Sequence, residues 1–125
     1  MEWYLKVMRD NYANFNGRAR RKEYWMFTLF FTLFFIASIF IMAILYSSLS
    51  ESTGSLIGGI LIIGLFLTHL VPSLAVTVRR LHDTGKSGWF YLLNFIPYIG
   101  GLIIFIFTLI QGDKGDNKYG PDPKA

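Results

Sequence analysis

The chain has 125 residues, enough for one domain, and is 53% hydrophobic and 18% aromatic, with only 16% charged residues and a net charge of +4. Soluble domains carry roughly a quarter charged residues, and here the charges are unevenly spread: no Asp, Glu, Lys or Arg occurs from Tyr24 to Ser50, from Ser52 to Val78, or from Ser87 to Gly112. Each of these runs exceeds the roughly 20 apolar residues that cross a bilayer, which excludes a soluble globular domain and points to an integral membrane protein. The absence of cysteine excludes a disulfide framework, a thiol nucleophile and a Cys-based metal site.

Residues 1–16 place Tyr4, Met8, Tyr12 and Phe15 at helical spacing, with Lys6, Arg9 and Asp10 elsewhere. The spacing predicts an amphipathic helix lying in the membrane interface. Asn16-Gly17 is a turn signal. Arg18, Arg20, Arg21 and Lys22 form a basic cluster at the mouth of the first apolar run, with Tyr24 and Trp25 as interface anchors. This run, span 1 at about 25–46, is too long for a secretory signal peptide and begins over twenty residues in, so it reads as a retained anchor.

The loop 47–55 has no Lys or Arg. Span 2 follows at about 56–78 and carries His69 and Pro72. The small-residue spacing of Gly54 and Gly58 in "GSLIG" permits close helix approach, although the simpler reading is a pair of glycines at a loop edge. Residues 79–88 then form a polar joint. Span 3 is placed at about 89–110, opening on a third interface anchor, Trp89, and containing Asn94, Pro97 and Gly100-Gly101. The tail, 111–125, is polar and rich in Gly and Pro, hence irregular.

The fold expectation is an all-α membrane protein, a single domain built as a small bundle of three transmembrane helices with an N-terminal interfacial helix. Residues 1–23 hold six Lys or Arg, the first loop none, the joint three (Arg79, Arg80, Lys86), and the tail three Lys offset by three Asp. The positive-inside rule puts the N-terminus and the 79–88 joint in the cytoplasm. Three full spans put the tail outside. A break at Pro97 and Gly100-Gly101 would instead make span 3 re-entrant and return the tail to the inside.

The joint, "VTVRRLHDTGKSGWF" from Val76, contains two fragments that resemble catalytic motifs. "GKS" lacks the first glycine of a phosphate-binding loop, whose place is taken by Arg80. "DTG" belongs to aspartic proteases, which need two carboxylates sharing a proton, and Asp83 is the only acid in the joint. A structural role fits each residue: Arg79 and Arg80 at a helix C-terminus, Asp83 accepting turn amides, Gly85 at positive φ, and Ser87 as an N-cap. The cationic excess also makes Arg18, Arg20, Arg21, Arg79, Arg80, His82, Asp83 and Lys86 the candidate site for lipid phosphate or an acidic partner.

His69 and Asn94 are candidate intramembrane polar groups. The simpler reading of His69 is a single histidine bonded to another helix, since no second intramembrane acid or histidine completes a relay. With His69 and His82 thirteen positions apart, histidine metal ligation is not expected, and the tail's "DKGDNKYG" lacks the acid spacing of a calcium loop. No cofactor is expected. The basic residues flank apolar runs, so membrane lipids are the expected partners rather than nucleic acid.

Three motifs, "FNGRARRKEYW" (15–25), "PSLAVTVRRLHDTGKSGW" (72–89) with "IPYIG" (96–100), and "NKYGPDP" (117–123), together resemble the family of small bacterial inner-membrane proteins catalogued as domain of unknown function 805. The resemblance runs from about Tyr12 to Pro123. It implies the bacterial inner membrane and brings no reaction, substrate or cofactor. The functional expectation is a non-enzymatic membrane protein that binds a membrane-protein partner, another copy of itself or anionic lipid. The alternatives are a subunit of an oligomeric transporter or channel, with His69 and Asn94 on its pathway, and an enzyme acting on lipid head groups. One His beside one Asp is a thin basis for the last.

Overall fold

The computed structural model describes residues 2–124, all in helices, turns and irregular segments apart from one isolated bridge between Asn117 and Gly120. Helix α1 (Glu2–Leu5) continues into a π-helical turn over Lys6–Asp10; α2 covers Arg21–Ser48 and α3 Glu51–Asp83; a 3₁₀ segment covers Gly88–Phe95; α4 covers Gly100–Leu109.

At about 1.5 Å per residue, the 28 residues of α2 extend about 42 Å and the 33 of α3 about 50 Å. Both exceed a hydrocarbon core of about 30 Å. The apolar windows of α2 and α3 are only 6% and 22% buried. A soluble protein would bury such helices, whereas here Phe40, Ile44, Leu56, Ile60 and Ile63 face outward. An apolar solvent is the environment that suits this surface.

The two long helices form an antiparallel hairpin across Leu49-Ser50. The Ser50 hydroxyl caps α3 by accepting from the Thr53 amide at 3.2 Å. Gly54 and Gly58 sit within α3, not at a loop edge, and there α2 comes closest: a Cβ on Gly54 would lie 2.6 Å from the Leu45 carbonyl oxygen, and one on Gly58 would overlap the Met42 side chain. Helix α3 ends in a Schellman motif, with the Lys86 amide donating to the Leu81 carbonyl at 2.9 Å, the Gly85 amide donating to the His82 carbonyl at 3.0 Å, and Gly85 at φ +78°.

Pro72 lies inside α3 and leaves the Thr68 carbonyl without its helical donor. The Tyr12 hydroxyl supplies one at 2.8 Å. Nearby, Tyr4 donates to His69 Nε2 at 2.6 Å, while Nδ1 lies 2.8 Å from the Leu65 carbonyl oxygen. A single ring proton, on Nδ1, satisfies both bonds. Tyr4 and Val7 pack with Ala19, Phe27 and Val76, with Phe30 and Phe34 against them. The N-terminal helix is therefore docked on α2 and α3, and it stops at Asp10, short of the expected residue 16; Tyr12 and Phe15 lie beyond it.

The expected third span is not a continuous helix. Residues 89–110 divide into the 3₁₀ segment and α4, separated by Pro97 and by Tyr98 at φ +68°. Their lengths, about 16 Å and 15 Å, are each half of what a crossing requires. The two pieces fold back on one another. Phe90, near the start of the first, meets Phe107, near the end of the second, at 6.2 Å between ring centroids, and Lys86 Nζ sits 4.6 Å over the Phe107 ring. The end of α4 thus returns to the end of α3. A count of apolar residues registers neither the break at Pro97 nor the reversal.

Candidate functional site

The polar end of the bundle is built from three segments far apart in sequence. Residues 17–20 form the irregular segment that leads into α2, whose first turn carries Glu23. The C-terminal end of α3 supplies Arg79, Arg80, His82 and Asp83. The tail, 110–122, wraps over both. Asp83 lies at the centre: Arg18 Nε donates to Oδ1 at 2.9 Å, and Arg80 Nη1 donates to Oδ2. The side chains of Arg18, Arg80 and Asp83 are at most 1% exposed. Charges so far removed from water are tolerated only when paired and fully hydrogen-bonded.

Backbone carbonyls complete the pairing. Arg18 donates through Nη1 to Gly115 at 2.6 Å and through Nη2 to Asp113 at 2.6 Å. Arg80 donates through Nε to the Thr108 carbonyl, through Nη1 to Ala19 and through Nη2 to Ile110. The Asp113 amide in turn donates to the Asp83 carbonyl at 2.7 Å. A second pair lies one residue away, where Arg79 Nη1 donates to Glu23 Oε2 and Lys6 Nζ approaches Glu23 Oε1 at 3.4 Å. His82 donates from Nδ1 to the Gly17 carbonyl at 2.9 Å and stacks flat on Tyr119, with centroids 3.9 Å apart and planes 2° from parallel. Asn117 donates to the His82 carbonyl at 2.9 Å. Outside this knot, the Asp122 carboxylate is held below its usual range by hydrogen bonds from the Lys124 and Gly115 amides.

The candidate residues therefore divide into two groups. Arg18, Arg79, Arg80, His82 and Asp83 are brought together and are buried. Asp83 pairs with arginines rather than accepting turn amides. Among these arginines only Arg79 Nη2 is buried without a partner, so an external anion would have to displace bonds that hold the fold. The remaining cations are outside the knot. Arg21 is exposed and donates to the Leu109 carbonyl at 3.1 Å; Lys86 is half-buried over Phe107. Arg20 is half-buried and its Nε has no partner. Arg20, Lys22 and Lys6 converge on Trp3: Arg20 Cζ, Lys22 Nζ and Lys6 Nζ each lie 5.3 Å from its ring centroid.

Of the expected anchors, Trp25 donates its indole N–H to the Thr108 carbonyl at 3.1 Å, tying α2 to α4, and Trp89 is the most open, 78% exposed. His69 is enclosed by Tyr4, Phe27 and Phe31. Tyr24 and Asn94 instead line a cavity between α2, α3 and the 88–109 hairpin. Sequence reasoning missed Glu23, Lys6 and Trp3. Glu23 had one usable signal, being the sole acid between Asp10 and Glu51.

Two long apolar helices with bare outward faces, a short apolar hairpin and one ion-paired polar end define a small helical membrane protein. The chain belongs to the family described as protein of unknown function (DUF805), whose profile matches residues 12–121. It is 45% identical to the inner membrane protein YhaI of Escherichia coli (strain K12) over 99% of this chain and 97% of that protein. It is also 45% identical to the inner membrane protein YhaH of the same strain, over 99% and 98%. A more distant relative, the uncharacterized protein YiiR of that strain, is 25% identical over 87% and 85%. No solved structure matches the chain. The motifs that suggested the family span nearly the same stretch as the match, and the relatives' names accord with a membrane protein of unestablished activity.

Proposed function

We propose that this protein is a bacterial inner-membrane protein that binds anionic lipid through the cations around Trp3, with α2 and α3 crossing the bilayer and residues 88–109 dipping into the cytoplasmic leaflet and returning. The N-terminal segment, the end of α3 and the tail then share the cytoplasmic face. Two features support this topology. All twelve Lys and Arg fall in those three segments or, for Lys86, in the turn that follows α3, as the positive-inside rule favours. The tail is bonded to Arg18 and Arg80, which cannot happen across a membrane.

The observation that carries lipid binding is the convergence of Lys6, Arg20 and Lys22 on one tryptophan. The nearest carboxylate, Glu23, is shared by Arg79 and Lys6, so one acid faces four cations, and Arg20 and Lys22 have no carboxylate partner among the described residues. Three like charges gathered in this way repel each other, and a phosphate between them relieves the repulsion. Trp3 suits the same interfacial level. Anionic lipid surfaces stabilise juxtamembrane cations by about 1 kcal/mol each, so losing all three costs about 3 kcal/mol, on the order of 100-fold in affinity.

The test is native mass spectrometry of protein released from mixed phosphatidylglycerol and phosphatidylcholine nanodiscs. Wild type is expected to retain phosphatidylglycerol selectively, with the selectivity falling steeply in salt and lost in a Lys6→Gln, Arg20→Gln, Lys22→Gln variant. Equal selectivity in the variant refutes the assignment.

A further inference from the structure

Between α2, α3 and the re-entrant hairpin lies a cavity of about 330 Å³ whose lining includes Tyr24, Ser73, Thr77, Tyr91, Asn94 and Phe105. Its volume is at the lower end of the range for small-ligand pockets, about 300–1,000 Å³. Its chemistry is unusual for an apolar bundle: two phenols, two aliphatic hydroxyls and an amide, with no formal charge. Thr77 donates to the Ser73 carbonyl at 2.7 Å. The Ser73 and Tyr91 hydroxyls and the Asn94 amide make no side-chain hydrogen bond among the described residues and are open to the cavity. Polar groups at membrane depth are expensive unless something satisfies them.

The depth of the cavity narrows the occupant. Thr77 lies three residues, about 4.5 Å, and Ser73 seven residues, about 10 Å, before Arg80 along α3. If the charged knot lies at head-group level, the cavity lies where head groups give way to hydrocarbon, since each polar layer is only about 5–8 Å thick. The lining offers several donors and no counter-charge. A phosphate or carboxylate would be stranded there, and Arg80 is fully engaged by Asp83 and carbonyls.

We infer that this cavity binds the uncharged glycerol–ester portion of a membrane lipid, with the Tyr91 hydroxyl and the Asn94 amide donating to ester carbonyls and the acyl chains leaving toward the bilayer. The site rests on the membrane-embedded topology proposed above but not on the cations around Trp3.

The probe is dioleoylglycerol, which has the esters and no phosphate, compared with its dialkyl ether analogue and with free glycerol, each titrated into detergent-solubilised protein and read by native mass spectrometry. Wild type is expected to bind one dioleoylglycerol, the ether analogue more weakly, and glycerol not at all. Asn94→Leu and Tyr91→Phe should each weaken dioleoylglycerol about tenfold, as expected for a lost hydrogen bond to a desolvated group, with unfolding transitions unchanged. Tyr91→Phe removes a single oxygen, so it keeps the test open if Asn94→Leu does not fold. The Lys6, Arg20, Lys22 variant should bind dioleoylglycerol normally, which separates this site from the anionic one. No binding by wild type would mean a cavity filled by water only, and would overturn the inference. So would equal binding by wild type and Tyr91→Phe, equal binding of ester and ether, or displacement by glycerol.

Discussion

Replacing Asp83 with Asn removes one charge and almost no volume, and it strikes the point where all three polar segments meet. The side chains of Asp83 and Arg18 are each 1% exposed and that of Arg80 is 0% exposed, so water cannot replace the lost carboxylate. Two guanidiniums then share a site with no counter-charge. Breaking a buried ion pair from one side costs about 3–5 kcal/mol. Asparagine can still accept a hydrogen bond, and Arg18 keeps the Asp113 and Gly115 carbonyls, so the expected loss lies near the low end, about 3 kcal/mol. The released tail should also become accessible. Reversible unfolding in mixed detergent gives the stability, and limited proteolysis between residues 110 and 122 reports the tail. In a cycle with Arg18→Met the two losses should fall short of additivity by roughly 0.5–3 kcal/mol, because the partners act as a unit. A loss under about 1 kcal/mol with the tail still protected would refute the reasoning, since it would mean the cluster is hydrated or the tail is held by other contacts.

Two further substitutions probe the helix contacts. Gly58→Leu should destabilise the α2–α3 hairpin by about 1–3 kcal/mol, because the new side chain meets Met42 where no space exists; the same substitution at Gly59, which faces open space, should be nearly neutral in the same unfolding assay. Tyr4→Phe leaves His69 Nε2 without its donor and should cost about 1–3 kcal/mol, with faster amide exchange through residues 2–10 as the N-terminal helix loosens.

The two long apolar helices were legible because hydrophobic length is a property of composition, and the turn at Gly85 was legible because positive φ selects glycine. The third span misled because a largely apolar run of 22 residues reads alike whether it runs straight or doubles back. Pro97 and Gly100-Gly101 marked the break, but no periodicity announces a reversal. The joint's arginines looked like a surface for anions because their partners are remote: Arg18 and Asp83 are 65 positions apart, and much of what Arg18 and Arg80 bind is backbone carbonyl, which leaves no trace in the residue types of the tail. The Gly54 and Gly58 pair was set aside as loop edge because α3 begins earlier than the apolar run does. The cluster at Trp3 was hidden by the turn at residues 11–20, which brings Arg20 and Lys22 back over the first helix.

The reversal of residues 88–109 underlies both the ion-paired knot and the cavity beside it, and we propose that it turns back within one leaflet instead of crossing. It is tested most directly by paired C-terminal fusions after residue 125, one to a fluorescent protein that matures only in the cytoplasm and one to alkaline phosphatase, which is active only outside. The expected result is bright fluorescence with no phosphatase activity. An active phosphatase fusion with a dark fluorescent one would place the tail outside, require three full crossings, and contradict the joining of Arg18 and Arg80 to the tail.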